Sequence, residues 1–183
     1  MGDDAMHKES KENDESASKV SEKNHKATVQ ERAHRLSDML VSGYKEQFIE
    51  QVNNGDANVI NYLLVMKDRY GETPLHSAAR YQSEKAFMAL IEKVDQKALS
   101  DALVIQDYRG ETPLHLAVQN LSGDTVVALI KKVDQHALYD ALVMKNHFGV
   151  TPLYLLAKNR PDEALMAFIE KADQKAINEL LVM

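Results

Sequence analysis

The chain has 183 residues, 44% of them hydrophobic, and a formal net charge of −6. This composition is typical of a folded globular protein. The negative charge argues against a general nucleic-acid binder, because contacts to phosphates require clustered Lys and Arg. The chain has no cysteine, which excludes disulfides and thiolate metal sites and fits a reducing, cytoplasmic compartment. No apolar run reaches the roughly 18–20 residues of a membrane-spanning helix, so we expect no membrane insertion.

Residues 1–28 are a polar segment without aromatic side chains, in which acidic residues and lysines are interleaved. Such a segment buries too little apolar surface to offset the entropy lost on ordering. We therefore predict a disordered N-terminal tail over 1–28, either a plain solvated leader or a tether or recognition segment. A single folded domain is predicted over 29–183.

One hexapeptide recurs along this domain. GETPLH at 71–76 returns at 110–115, and a looser copy, GVTPLY, occupies 149–154. The starts are evenly spaced, since 110 − 71 and 149 − 110 are both 39, and such an interval indicates a stacked array of similar units. We place repeats at 61–99, 100–138 and 139–177. A degenerate capping repeat at 29–60 precedes them, because a terminal unit faces water on one side. Residues 178–183 begin a further unit or form a C-terminal cap.

Each repeat contains a Thr-Pro pair that starts a short helix, in which Thr suits the N-cap and Pro the first position. A polar break then restarts a second helix with apolar residues three and four positions apart. In the first repeat this apolar face consists of Phe87, Leu90, Ile91, Val94 and Leu99. No stretch alternates with the period of two that a strand requires, so the sequence predicts an all-α fold.

The stretch DRYGETPLHSAA at 68–79 resembles the core motif of the ankyrin repeat, and DYRGETPLHLA at 107–117 resembles it as well. The third copy departs from the motif at Asn146, Tyr154 and Leu156, where the family has Asp, His and Ala. The resemblance covers roughly residues 61–183. It implies an all-α, ankyrin-like helical solenoid of antiparallel helix pairs with projecting loops, whose core includes Leu75, Leu114 and Leu153.

His76 and His115 could be metal ligands or acid–base groups. In the family, however, this position ties adjacent loops together by hydrogen bonds, and the tyrosine of the third copy suits that role better than metal ligation. The sequence has no Gly-rich phosphate loop, no serine in the setting of a nucleophile elbow, and no two histidines on one helix turn. We therefore predict no enzymatic activity, no cofactor and no metal.

Ankyrin units are typically about 33 residues long, so each unit here carries about six more. The family usually ends its outer helix with Gly, where this chain has Val94, Val133 and Ala172. The outer helix therefore either continues or gives way to a short third helix capped by Asp95, Asp134 or Asp173, and we favour the third helix. Long units of this kind resemble proteins that intracellular bacteria deliver into host cells, which is the alternative to a cytoplasmic protein.

In the ankyrin family, loop tips and the concave face of the inner helices contact partners, which implies a non-catalytic protein–protein interaction module. Aromatic and arginine side chains, which dominate interface hot spots, are frequent at the corresponding positions. Carried over position by position, the predicted partner-binding residues are Arg69, Tyr70, Glu72, Arg80, Tyr81, Tyr108, Arg109, Glu111, Gln119, Asn120, His147, Phe148, Lys158 and Asn159.

Two other functions fit the same sequence. The array could be a structural spacer or an oligomerisation array, for example by self-association through the apolar LLVM at 180–183. It could also be the targeting portion of a larger enzyme or bacterial effector. If the tips bind nothing, Tyr70 and Phe148 would fold over their own loops as local packing.

Overall fold

The computed structural model describes residues 27–159 and 163–171, and within these ranges all regular secondary structure is α-helical. The prediction of an all-α fold is therefore confirmed. The eleven helices in the described ranges are α1 at 27–41, α2 at Lys45–Asn53, α3 at Ala57–Val65, α4 at Pro74–Arg80, α5 at Glu84–Lys93, α6 at Gln96–Leu103, α7 at Pro113–Asn120, α8 at Gly123–Lys132, α9 at Gln135–Val143, α10 at Pro152–Asn159 and α11 at Glu163–Lys171.

These helices follow an order that repeats along the chain: an inner helix, an outer helix and a short third helix. The inner helices α4, α7 and α10 pack in succession on one another, and so do the outer helices α2, α5, α8 and α11. The third helices α3, α6 and α9 form another row. Because helices of one kind stack on their equivalents, the described residues form a solenoid.

In the first two repeats the extra residues form the short third helix that the sequence favoured. Asp56, Asp95 and Asp134 are the N-caps of α3, α6 and α9, and each carboxylate accepts backbone N–H bonds from the first turn. Val94 takes an extended conformation and ends α5 without a glycine. The corresponding Ala172 and Asp173 lie outside the described residues.

The repeat boundaries drawn at 61, 100 and 139 fall inside α3, α6 and α9. The Thr-Pro motif marks where an inner helix begins, but it carries no signal for the end of the preceding third helix. Residues 27 and 28, assigned to the predicted tail, belong to α1. The rest of the tail and the apolar residues 178–183 lie outside the described residues.

The core follows the predicted faces in the two central units. The five residues of the predicted apolar face around α5 are all buried, as are Leu75 and Leu114. Leu153 differs from the prediction because it is only half-buried. Within the described residues no inner helix follows α10, so nothing described covers this side of Leu153.

A row of lysines links neighbouring outer helices. Lys93 Nζ donates to the carbonyl oxygen of Asn53 at 2.8 Å, and Lys132 Nζ donates to that of Glu92 at 2.9 Å. Lys171 repeats the contact to Lys131. Each ammonium group therefore meets the C-terminal carbonyls of the preceding outer helix, where a cation is favoured by the helix dipole. These bonds add to the apolar packing that holds the stack together.

Candidate partner-binding surface

Each projecting loop is folded by one polar side chain at its start. In the first loop, Asp68 Oδ1 accepts N–H bonds from Tyr70 at 2.8 Å and from Glu72 at 2.9 Å. The backbone N–H of Asp68 also donates to the carbonyl of Glu72 at 2.9 Å. Gly71 takes a φ of 75°, a left-handed conformation that glycine adopts without steric cost. The result is a tight hairpin-like turn with its tip at 69–70.

The other two loops have the same construction. Asp107 Oδ1 accepts from the N–H groups of Arg109 and Glu111 at 2.9 and 2.8 Å. In the third loop, Asn146 Oδ1 accepts from Phe148 and Val150, both at 3.0 Å. The departure from Asp to Asn therefore preserves the turn, because the bonds to the loop amides use only Oδ1.

The three loops are joined to one another by backbone hydrogen bonds. The N–H of Tyr108 donates to the carbonyl of Tyr70 at 3.1 Å, and the N–H of His147 donates to the carbonyl of Arg109 at 3.0 Å. The loop tips therefore form a continuous ladder and do not project independently.

Buried histidines reinforce this ladder. The backbone N–H of Thr73 donates to His76 Nδ1 at 3.0 Å, so Nδ1 is the unprotonated nitrogen, and the Nε2 proton is donated to the carbonyl of Glu111 at 3.0 Å. His115 makes the same bonds to Thr112 and to the carbonyl of Val150. The expected role of these histidines as ties between adjacent loops is confirmed.

Burial lowers the pKa of His76 to about 4, and burial also lowers the pKa of His115. Protonation of His76 would place a proton on Nδ1, against the N–H of Thr73. Unfolded histidine has a pKa near 6.5, so the unfolded state binds more protons between pH 6.5 and 4. Stability must therefore fall as the pH decreases through this window.

We expect the free energy of unfolding to drop by about 2 kcal/mol between pH 7 and pH 5 through His76 alone. A His76→Asn variant will be less stable at pH 7 but will lose much less on acidification. His136→Asn, which changes an exposed histidine, is the control and should keep the wild-type pH dependence. Urea unfolding at a series of pH values measures these differences. Identical slopes for wild type and His76→Asn would contradict the assignment.

The close approach of the loops gives a second, matched test. A Cβ added at Gly110 would lie 2.9 Å from the backbone nitrogen of His147, whereas nothing lies within 4 Å of one added at Gly149. Both glycines have nearly the same positive φ, 73° and 74°. Gly149→Ala should cost about 1 kcal/mol from the left-handed conformation alone. Gly110→Ala should cost about 2 kcal/mol, since the loops must also move apart. Equal losses in thermal melts would mean that the loops are not in contact.

Arg80 and three acidic side chains form a cluster behind the loop tips, which we call the arginine cluster. Arg80 Nη2 lies 3.0 Å from Asp107 Oδ2 and 3.5 Å from Glu111 Oε2. Arg80 Nε lies 2.8 Å from Glu72 Oε1. The orientation of this last contact makes an ion pair without a well-aligned hydrogen bond. Asp107 and Glu111 are buried and Glu72 is half-buried. Burial raises the pKa of Glu72. Three residues predicted to contact a partner, namely Glu72, Arg80 and Glu111, are thus turned toward one another and support the loops from within.

The loop tips border an open groove of about 640 Å³. One wall is the C-terminal half of α1, and the other comprises the first two loops and the end of α4. Seven of the fourteen predicted partner-binding residues line it: Arg69, Tyr70, Glu72, Arg80, Tyr81, Tyr108 and Arg109. Half of the partner-binding residues predicted from the family resemblance therefore lie around a single concave surface.

Two exposed tyrosines of this groove lie close to each other and to neighbouring arginines. Tyr70 and Tyr108 are 45% and 58% exposed, and their ring centroids are 5.8 Å apart. The guanidinium carbon of Arg69 lies 4.8 Å from the Tyr70 centroid, and that of Arg109 lies 5.9 Å from the Tyr108 centroid. Each tip thus presents an aromatic ring with a cation stacked near it.

The remaining predicted residues lie outside this groove. Phe148 is 77% exposed at the tip of the third loop, beside exposed His147. Gln119, Lys158 and Asn159 are exposed, whereas Asn120 is half-buried. These residues extend the surface toward the C-terminal side of the stack.

Five groove residues were not predicted to bind a partner: Ser37, Asp38, Val41, Asp68 and Ser77. The first three lie on α1, which lacks a Thr-Pro start, so no motif assigned them a position in the stack. Ser77 lies on α4 one turn before the predicted Tyr81, and its neighbours in the motif could have indicated it.

Within the described residues, no cluster of His, Asp or Glu side chains is arranged to hold a metal ion. No helix in residues 27–159 or 163–171 combines the length and apolar character needed to cross a membrane. A family model described as ankyrin repeats, in three copies, matches residues 48–139. No curated protein matches the chain.

Proposed function

Because the chain belongs to the ankyrin-repeat family, whose repeats are generally protein–protein interaction modules, we propose that it binds another protein through its loop tips and the adjoining groove. The observation that carries this proposal is the pair of exposed tyrosines, Tyr70 and Tyr108, on the wall of that groove. Tyrosine provides a large contact area at a low cost in side-chain entropy.

The rigidity of the loops supports the same role. Loop amides are bonded to Asp68, Asp107 and Asn146, and the loops are bonded to one another. A partner would therefore meet loops whose backbone is already held in place, which lowers the entropy lost on association. A free-standing spacer would have no need of exposed aromatic residues on such a framework.

We propose a non-catalytic role, in keeping with a family that is typically non-enzymatic. The groove contains carboxylates and three arginines, and the guanidinium of Arg80 is bound by Glu72, Asp107 and Glu111. The absence of cysteine supports action in a reducing compartment such as the cytoplasm.

Affinity capture from cell extract with a matched pair of variants tests the proposal. Tyr70→Ala/Tyr108→Ala removes two of the three groove tyrosines and leaves Tyr81. Tyr44→Ala/Tyr154→Ala removes two tyrosines of similar exposure, 57% and 56%, that do not line the groove. The affected side chains are solvent-exposed, so both variants should melt close to the wild type.

The expected result, measured by quantitative mass spectrometry, is that specific partners are lost with the groove variant and retained with the control. The proposal fails if every partner captured by the wild type is retained equally by both variants.

A further inference from the structure

The charged side chains of the three loops and their flanks form two groups, one inside the stack and one on its outside. The inner charges are the carboxylates of Glu72, Asp107 and Glu111, all of which face Arg80. Two of these acids are buried and the third is half-buried, so the cluster contributes little contact surface of its own.

The outer charges are mostly positive. Lys67, Arg69, Arg109 and Lys145 are all exposed, and no acid of the described residues forms an ion pair with any of them. Arg69 and Arg109 stack near the rings of Tyr70 and Tyr108, while Lys67 Nζ makes a 3.3 Å bond to the carbonyl of Gln106. We call these four cations and two tyrosines the loop ridge.

The one exposed acid within these loops, Asp68, uses its Oδ1 to bind two loop amides. The loop ridge is therefore a basic and aromatic strip on a chain whose formal net charge is −6. A local excess of cations against an acidic background is a surface that selects partners by electrostatic complementarity.

From this charge separation we infer that the loop ridge recognises an acidic segment of the partner protein, with carboxylates facing Arg69, Arg109 and Lys145 and apolar side chains against the two tyrosines. This inference rests on the proposed function and specifies its partner class. Asp38 lies on α1 in the groove lining, so the carboxylates of the segment lie along the loops, and other parts of the partner contact that helix.

A single-stranded nucleic acid also combines negative charge with stacking rings. It would need a basic track along its whole backbone, whereas this strip has four cations on a chain with net charge −6. The acidic peptide is therefore the ligand that the charges favour.

The test is selection from a display library of short random peptides on the full chain, followed by affinity measurements with the enriched peptide made synthetically. The ridge charge variant is Arg69→Gln/Arg109→Gln/Lys145→Gln. The control, Arg32→Gln/Lys85→Gln/Lys131→Gln, removes the same number of exposed cations at positions that line neither the groove nor the loop ridge. Tyr70→Ala/Tyr108→Ala serves as the site variant.

We expect acidic peptides to be enriched, with an affinity that the ridge charge variant lowers by about tenfold and that the control leaves within about twofold. Added salt should weaken this binding.

If the enriched peptides are neutral or basic and the site variant still loses them, the acidic inference is overturned while the proposed function stands. No enrichment, or binding that survives all variants, overturns both. Tighter binding of a single-stranded RNA than of the enriched acidic peptide, lost in the ridge charge variant, also overturns the inference.

Discussion

Replacing Arg80 with methionine will lower the free energy of unfolding by about 3 kcal/mol, because it leaves the carboxylates of Asp107 and Glu111 buried without their counter-ion. Asp107 Oδ2 lies 3.0 Å from Arg80 Nη2, and the Asp107 side chain is fully buried. Methionine retains an apolar stem of similar length, so the change isolates the charge from the packing. Urea unfolding at neutral pH measures the loss.

Arg109→Met is the matched control for this experiment. Arg109 is an exposed arginine on the same surface, and its guanidinium contacts only the ring of Tyr108 among the interactions described for its side chain. We expect a change within about 0.5 kcal/mol. If the two variants were equally stable, the arginine cluster would not be a supporting element of the loops.

Leu114→Ala is expected to cost about 2–5 kcal/mol, as is usual when a fully buried leucine is truncated and a cavity remains. Leu114 lies on the central inner helix α7, which is packed between α4 and α10, and its side chain has no exposed surface. Leu153 occupies the equivalent position in the next unit but is only half-buried.

Leu153→Ala therefore serves as an internal comparison and should cost clearly less than Leu114→Ala. Thermal or urea unfolding of both variants measures the two losses in stability. Equal losses would show that the third unit is covered as completely as the second. If Leu114→Ala caused no loss, α7 would not lie at the centre of the stack.

The sequence was informative wherever a local motif determines structure. The 39-residue spacing, the Thr-Pro starts and the capping aspartates Asp95 and Asp134 predicted helix starts that the structure contains. The tie between loops through His76 and His115 came from the family resemblance and is confirmed by the bonds to Glu111 and Val150.

What the sequence could not indicate depends on contacts between units. In the sequence, Arg80 and Glu111 are charged residues near different loops, and nothing indicates that they contact each other. The fold brings them together. The place of α1 in the groove was unpredictable because its sequence carries no motif. Leu153 was expected in the core because repeat equivalence ignores how many neighbours each unit has.

The fourteen predicted partner-binding residues include some that a local turn places outside and others whose direction depends on contacts between units. The tips at Tyr70, Tyr108 and Phe148 are exposed, because the turn geometry alone places them outside. Residues two or three positions farther, such as Glu72 and Glu111, turn inward to pair with Arg80, a cation that lies elsewhere in the chain. The contribution of the exposed tips to binding stays a prediction that the variants above test.

Hydrogen–deuterium exchange of the full chain, alone and with a captured partner, tests the central claim most directly. A partner seated on the loops should slow exchange at 68–72 and 107–111 and in the second half of α1, with little change in the outer helices α5 and α8. Protection confined to the outer helices, with the loops unchanged, would contradict the account.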